Sequence, residues 1–278
     1  MLPKRRCAID FRFLLEVQMP APGYEDVVKR WKEKKITDEV SLDSALSNYR
    51  ILFAYHSNRI ENAGLSLHET REIFENGRMI GYTGDLRAVF ETQNQKVCYD
   101  YLKKLIVERK PVTPELICDV HFLLNQGCYD ESRWMKGERP GIYKKNYYGV
   151  GENAGVLPED VAEEVAFICE QVRTVNETSE EILTAAAYFH CNFESIHPFA
   201  DGNGRTGRTL LNYYLMIHGS PPTILFDEDK ETYYLALAVF DQTEKLDGFV
   251  GFLKEQTVKT WVKESPLRSK KTKKIICL

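Results

Sequence analysis

The strongest constraint on the fold is a pair of helical patterns on either side of one short loop that contains glycine. Apolar residues recur at helical spacing over residues 182–196, and Pro198 ends that pattern. A second helical pattern covers residues 206–218, and Gly219 with the Pro-Pro pair beyond it closes that pattern. No strand pattern precedes the loop and no βαβ unit surrounds it. This region therefore predicts helix packing rather than a sheet.

Most of the remaining chain has the same helical texture, and only residues 132–158 differ. That region is rich in Gly, Asn, Tyr and Pro, and residues 141–157 (GIYKKNYYGVGENAGVL) are typical of a short β-hairpin. The other helical patterns cover residues 24–34, 38–53, 66–76, 86–107, 114–126, 160–175, 231–243 and 246–262. We predict one all-α domain with a small hairpin, against which an N-terminal helical portion packs.

Composition excludes several classes of protein. The 278 residues have a net charge of −4, so no global basic charge favours a nucleic-acid partner. The seven cysteines are scattered without a CxxC pair, which argues against structural zinc and a disulfide framework. No apolar run has the length of a membrane span. We expect a soluble, cytoplasmic protein with no membrane or specific nucleic-acid partner.

The loop stretch HPFADGNGRTGR brings four kinds of chemistry together. His197 exchanges a proton near neutral pH, and Asp201 offers a hard oxygen ligand of the kind that Mg²⁺ takes together with phosphates. Residues 202–204, Gly-Asn-Gly, let backbone N–H groups approach an anion closely. Arg205 and Arg208 add permanent positive charges with forked donors that suit phosphate oxygens. The stretch predicts a nucleotide-phosphate site with a catalytic group beside it.

The same stretch resembles the signature of the Fic family, HxFx(D/E)GNGRxxR, at all eight specified positions. Fic enzymes mostly transfer AMP from ATP to a protein hydroxyl. The resemblance covers about residues 45–255 and implies a Fic-type helical bundle with a β-hairpin flap beside the active site. It divides the chain into an N-terminal helical extension (1–44), a helical segment with an inhibitory motif (45–85), a catalytic core (86–262, with the flap at about 139–157 and the signature at 197–208) and a basic tail (263–278).

The resemblance also assigns roles within the signature. His197 would be the general base for the incoming hydroxyl, and Asp201 would hold Mg²⁺ against the phosphates of ATP. Asn203 and the amides of Gly202 and Gly204 would form an anion hole, and Arg205 would meet the phosphate chain. Because the second glycine of the loop is kept, AMP transfer is favoured over the phosphate-transferring branches of the family.

An inhibitory motif is expected ahead of the core. Residues 57–62, SNRIEN, fit the Fic pattern (S/T)xxxE(G/N), with Ser57 and Glu61 on one helical face. A carboxylate near Arg208 would take the guanidinium that otherwise grips the γ-phosphate, and would place negative charge where phosphate must lie. The alternative is an ordinary surface glutamate near a helix end.

Two further groups of residues follow from the resemblance. The flap would pair with an extended segment of the target protein through main-chain hydrogen bonds; the alternatives are an ordinary surface hairpin or a tyrosine that is itself modified. For the nucleoside, Tyr234 and Asp241 are the candidates, although Tyr234 could equally belong to the core. The candidate target contacts in the flap are Tyr143, Lys144, Lys145, Tyr147 and Tyr148.

Other functions remain open from the sequence. The same pocket could remove AMP from modified proteins, with Glu61 orienting water, or the chain could be an ATP-sensing helical module with vestigial catalysis. The GNGRTG stretch also fits G-x-G-x-x-G, but the lack of a preceding strand excludes a dinucleotide fold. A homodimer that hides the helix of Glu61 is plausible, and the target protein is not readable.

Overall fold

The structure, a computed structural model, describes residues 22–61, 64–79, 81–148, 155–174 and 178–263. Within these ranges the chain is helical and contains no β-strand, which confirms the predicted all-α class. The α-helices are α1 (Tyr24–Glu33), α2 (Glu39–Ala45), α3 (Tyr49–Glu61), α4 (Leu67–Asn76), α5 (Leu86–Val107), α6 (Pro114–Asn125), α7 (Glu131–Met135), α8 (Val161–Gln171), α9 (Ser179–Ile196), α10 (Asn203–Ile217), α11 (Lys230–Thr243) and α12 (Asp247–Lys263), and a 3₁₀ turn spans Asp227–Asp229.

Helix α10 lies at the centre of the bundle. It packs against α9, α6, α5 and α3, and nearly all of its residues are buried. A helix that is buried on all sides needs apolar or internally bonded side chains around its whole circumference. Its last three turns supply leucines and tyrosines, whereas its first turns present Asn203, Arg205 and Arg208 to the interior. The polar end of the central helix therefore faces the site, and the apolar end fills the core.

The N-terminal helices belong to the same core as the rest of the chain. Trp31 of α1 contacts Trp261 of α12 with ring centroids 5.1 Å apart, and Tyr49 stacks on Trp261 at 5.8 Å. The Trp261 indole donates a 2.7 Å hydrogen bond to the Pro222 carbonyl, so the ring is fixed. Residues 1–21 of the predicted extension and residues 264–278 of the predicted basic tail lie outside the described residues.

The predicted β-hairpin is not supported in the part of it that the structure describes. Residues 141–148 form turns and bends, and residues 149–154 are outside the described ranges. The physical reason lies in Glu138, a buried carboxylate that accepts hydrogen bonds from the backbone N–H groups of Lys145 and Asn146. These amides are thus used by a side chain instead of a neighbouring strand, and a ladder does not form here.

The ends of the predicted flap are held by the loop after α9. The Lys144 N–H donates to the Pro198 carbonyl at 2.9 Å, and the Val156 N–H donates to the Ile196 carbonyl at 3.3 Å. Both ends of the flap segment are consequently anchored beside His197.

Among the described helices, none is both long and apolar enough to cross a bilayer.

The Trp31 contact predicts how strongly the N-terminal helix is coupled to folding. Trp31→Ala should lower the free energy of unfolding by about 3–5 kcal/mol, because it removes a buried indole from a packed core. Lys29→Ala, on the exposed face of α1, should change it by no more than about 0.5 kcal/mol. Urea unfolding of both variants measures the difference, and equal stabilities would contradict the packing of α1 on α12.

Candidate active site

The signature loop, residues 197–202, is held in shape by its own sequence. His197 ends α9 in the left-handed region (φ 50°), and its N–H donates to the Phe193 carbonyl at 3.1 Å. Gly202 precedes α10 with φ 76°, a conformation that glycine adopts without steric cost. The Asn203 side chain bonds both the N–H and the carbonyl of Phe199, at 2.9 and 2.8 Å. Asn203 therefore closes the loop with its side chain, and only its backbone N–H can face an anion.

His197 lies partly buried at the mouth of this loop. Burial, and then the positive charge of Lys144, lower its pKa to about 4 against the opposing charges of Glu61 and Asp201. In the described part of the chain its buried Nδ1 has no hydrogen-bond partner. The imidazole is therefore neutral at physiological pH and can accept a proton, as a general base must.

The N-terminus of α10 is occupied by the Glu61 carboxylate. A Cβ placed on Gly204 would lie 2.2 Å from Glu61 Oε1, so the carboxylate rests against the backbone of the first helical turn. The unpaired N–H groups and the dipole of a helix N-terminus attract an anion. Glu61 thus occupies the position that the sequence assigns to phosphate.

Arg208 holds Glu61 there. Its guanidinium lies 2.7 Å from Glu61 Oε1, and it also donates to the hydroxyl and the carbonyl of Ser57, at 3.0 and 2.8 Å. The Arg208 side chain is 1% exposed and that of Glu61 is 34% exposed. The structure therefore brings Ser57, Glu61 and Arg208 together as predicted, with a fully enclosed cation and a partly accessible carboxylate.

Arg205 is engaged by partners that the sequence did not indicate. It lies 3.0 Å from Glu91 of α5, and it donates a 3.0 Å hydrogen bond to the Asn125 side chain of α6. Both Arg205 and Glu91 are buried. The positive charge of Arg205 is consequently fixed beneath the loop instead of free at the surface.

Asp201 is flanked by two arginines from distant parts of the chain. Arg87 and Arg133 lie 2.9 and 3.3 Å from its Oδ2. Burial alone would raise the pKa of the Asp201 carboxyl, but these arginines hold it below its ordinary value. The Asp201 carbonyl also lies 2.8 Å from His121 Nε2. The carboxylate is thus ionised and held in a fixed position.

The predicted flap residues separate into two groups. Lys145 and Tyr147 are exposed, and Tyr148 is half-buried with its hydroxyl 3.3 Å from Glu138. Lys144 is only 2% exposed, so its side chain is not available as the predicted target contact. Tyr143 is partly buried and contacts Phe199 with ring centroids 5.5 Å apart.

The predicted nucleoside residues both lie on α11, and Asp241 lies at the edge of a cavity. Tyr234 is 46% exposed, whereas its neighbour Tyr233 is buried with its hydroxyl 2.9 Å from His190. Asp241 accepts a hydrogen bond from the Ser195 hydroxyl of α9. Asp241, Ser195 and residues 155–156 line a cavity of about 600 Å³. Tyr233 is therefore a core residue, and Tyr234 and Asp241 remain candidates for nucleoside contact.

Glu194 is a functional candidate that sequence patterns did not reveal. Burial raises the pKa of its carboxyl to about 8, against the opposing charge of Arg208. Its Oε1 lies 2.3 Å from the place where a Cβ on Gly207 would be. The missing side chain of Gly207 thus makes room for a carboxyl that is protonated at neutral pH.

Comparisons with known proteins show which family the chain resembles in sequence. The sequence profile of the Fic/DOC family matches residues 111–215. Protein adenylyltransferase fic-1 of Caenorhabditis briggsae is 31% identical over 190 residues, which are 68% of this chain and 36% of the relative. Protein adenylyltransferase Fic of Drosophila persimilis is 30% identical over 206 residues, which are 74% of this chain and 39% of the relative.

Solved structures share the fold. A Fic-domain-containing signaling protein from Bacteroides thetaiotaomicron superposes with a TM-score of 0.71 at 21% identity, covering 85% of this chain and 93% of that one. A variant of a Fic-1 fragment from Caenorhabditis elegans superposes with a TM-score of 0.71 at 25% identity, covering 87% of this chain and 70% of that one. The chain belongs to the Fic/DOC family. It spans less than half the length of the curated relatives described above.

Gly202 allows a test of the loop geometry. A Cβ at Gly202 would lie 2.1 Å from Asn125 Oδ1, whereas Gly219 has a similar φ of 72° with nothing within 4 Å. Gly219→Ala should lower the free energy of unfolding by about 1–2 kcal/mol, the cost of a left-handed alanine. Gly202→Ala should lower the free energy of unfolding by at least about 1 kcal/mol more than Gly219→Ala does, because Asn125 must move and its hydrogen bond to Arg205 breaks. Urea unfolding compares the two; equal losses would show that Asn125 does not lie against the loop.

Proposed function

We propose that this chain is an autoinhibited protein AMP transferase, which transfers AMP from ATP to a hydroxyl of a target protein. The observation that supports it best is the Glu61 carboxylate, which lies against Gly204 at the N-terminus of α10 and 2.7 Å from Arg208. An anion of the chain itself occupies a built anion site next to a neutral histidine. The adenylyltransferase names of the relatives support the same reaction.

In this proposal the ATP phosphates bind over residues 202–204. The oxygen of the target hydroxyl attacks the α-phosphorus, and its proton passes to the imidazole of His197. The bond between the α-phosphorus and the oxygen that bridges to the β-phosphate breaks, and pyrophosphate leaves with the electron pair. Arg205 adds a fixed positive charge beneath the loop, close to where negative charge accumulates on the phosphates. Positioning and electrostatics then provide most of the rate, as in phosphoryl transfer generally.

Asp201 suits the magnesium ion that ATP brings with it. Its carboxylate has a lowered pKa, is partly exposed and offers hard oxygen atoms. Mg²⁺ is commonly held by one or two carboxylates together with phosphate oxygens, so this donor set fits. Bound to Asp201, the ion would neutralise part of the phosphate charge. Arg87 and Arg133 keep the carboxylate in place.

Inhibition follows from the charge of Glu61. Two negative charges about 4 Å apart repel each other by about 4 kcal/mol near a protein surface. A γ-phosphate that approaches Arg208 meets the Glu61 carboxylate at that range, so ATP binds in a pose unsuited to attack. Because one third of the Glu61 side chain is exposed, a partner protein or a movement of α3 can displace it.

The target protein is proposed to dock on the flap segment, residues 139–157. Lys145 and Tyr147 are exposed there, in the same segment whose Lys144 and Val156 bond the chain on either side of His197. Because the flap segment itself contains Tyr147, self-modification would accompany transfer to the target. A homodimer that covers α3 would regulate access to Glu61. The five described cysteines are free thiols, which fits a reducing compartment such as the cytoplasm.

Transfer of label from α-³²P-ATP with Mg²⁺ tests the proposal. Wild-type protein should incorporate little label, Glu61→Gly should incorporate at least tenfold more because its phosphate site is free, and Glu61→Gly/His197→Ala should incorporate none. Self-modification and a cytosolic extract provide the hydroxyl acceptors.

The other outcomes identify other functions. No label in any variant, with ATP still bound, would overturn AMP transfer in favour of a binding module. Transfer from γ-labelled ATP instead would indicate a phosphotransferase. Glu61-dependent loss of AMP from a modified target would indicate the reverse reaction.

A second prediction concerns the γ-phosphate. Glu61→Gly frees Arg208 for a charge-assisted hydrogen bond, which is worth about 1.5–3 kcal/mol. The variant should therefore bind ATP at least about tenfold more tightly than wild type, whereas ADP, which has no γ-phosphate, should gain much less. Isothermal titration calorimetry with both nucleotides measures this, and equal gains for ATP and ADP would contradict the proposed competition.

A further inference from the structure

His197 has a backbone conformation that its own sequence disfavours. A residue other than glycine in the left-handed region costs about 1–2 kcal/mol. A residue that precedes proline is additionally biased towards extended backbone, and Pro198 follows directly. His197 nevertheless has φ 50° and ψ 62°. The surrounding structure must therefore impose this conformation.

Lys144 contacts the chain on both sides of His197. Its backbone N–H donates to the Pro198 carbonyl at 2.9 Å, and its Nζ donates to the Ile196 carbonyl at 3.2 Å. The carbonyl groups of the residues before and after the histidine are thus bonded to a single residue. The Val156 N–H adds a second bond to the Ile196 carbonyl, at 3.3 Å.

Holding one carbonyl with a buried ammonium group has a high cost in free energy. The residue is 2% exposed, and burying a charge without a counter-ion costs far more than burying an apolar side chain. Burial accordingly lowers the pKa of Lys144. Its Nζ also lies 3.2 Å from the place where a Cβ on Gly155 would be, and that Cβ would lie 3.6 Å from the Cβ of His197. The chain leaves room here for a cation beside the histidine.

Among the described residues, three charged groups act on His197. Lys144 disfavours the protonated imidazole, whereas Glu61 and Asp201 favour it. The ammonium thus opposes two carboxylates that would otherwise raise the affinity of the histidine for a proton. A base that has to be neutral before attack benefits from such a cation, since the two acidic residues are needed elsewhere in the site.

We propose that Lys144 is a positioning residue for His197: it fixes the left-handed backbone that directs the imidazole, and it supplies a fixed positive charge beside the ring. This inference deepens the proposed AMP transfer, because it concerns the base of that reaction. It assigns a role in the active site to a lysine that the sequence suggested as a target contact.

Three substitutions of Lys144 and its surroundings test the proposal, each in the Glu61→Gly background. Lys144→Met keeps the length and removes the charge, Lys144→Arg keeps the charge, and Lys136→Met is a control on an exposed lysine of the same region. The first measurement is an NMR titration of histidine labelled with ¹³C at Cε1, in which His197→Ala identifies the resonance. This readout does not depend on AMP transfer.

We expect the His197 imidazole to stay unprotonated from pH 8 down to about 5 with Lys144 or Lys136→Met, since its pKa is about 4 even with Glu61 present and the removal of that carboxylate lowers it further. In Lys144→Met the pKa should rise towards its ordinary value, and in Lys144→Arg it should stay near the original one. In label transfer, Lys144→Met should lower kcat at least tenfold with the KM for ATP within about twofold, and the acid limb of the pH–rate profile should move to higher pH. Lys144→Arg should restore part of kcat.

An unchanged His197 titration in folded Lys144→Met would overturn the proposal. If that variant fails to fold, Lys144→Arg decides. Because this variant keeps the positive charge, a rise of the His197 pKa or a shift of the pH–rate profile to higher pH would equally overturn the proposal. Absence of label transfer in every variant, together with the expected shift in the NMR titration, would refute the proposed reaction and keep the role of Lys144 towards His197.

Discussion

The ion pair between Arg208 and Glu61 is the interaction on which the arrangement of the active site depends. The guanidinium of Arg208 is fully enclosed, and an enclosed charge without a partner is strongly destabilising. Although burial disfavours its charged form, Glu61 raises the pKa of Arg208. The contact proposed to be inhibitory is therefore also a structural one. Under the proposed function, any activator must give Arg208 another anion when it displaces Glu61, and the γ-phosphate of ATP has the charge to do so.

Helix α3 is held from a second side as well. His56 and Arg59 lie 2.5 and 2.8 Å from the carboxylate of Asp227, which begins the 3₁₀ turn ahead of α11, the helix that presents Tyr234. Burial lowers the pKa of His56 against the effect of Asp227. Two faces of α3 thus link the Arg208–Glu61 pair to the segment that precedes α11. This connection explains how a single carboxylate remains in place while part of it is exposed.

Charges of opposite sign alternate through the base of the site. Glu91 contacts Arg205 at 3.0 Å and Arg87 at 2.8 Å, and Arg87 reaches Asp201 at 2.9 Å. Each group satisfies its neighbour, so both the acidic and the basic residues keep their charge in a largely buried setting. The charges of the chain itself therefore organise the loop, and under the proposed function little ordering is required when a nucleotide binds.

The sequence by itself determined the helical class, the signature and the Ser57–Glu61 motif, because each is a local pattern whose members lie within a few turns. Only the tertiary structure decided how that signature is supported. Glu91, Asn125, Arg133 and Lys144 make these contacts across 52 positions (Lys144 to Ile196) to 114 positions (Glu91 to Arg205) of the chain, and no periodicity marks them. The hairpin was predicted from composition and is not found in the described residues, since the buried Glu138 takes the backbone amides that a strand would share. Local patterns fix local conformation, whereas the partner of a buried charge is fixed by packing.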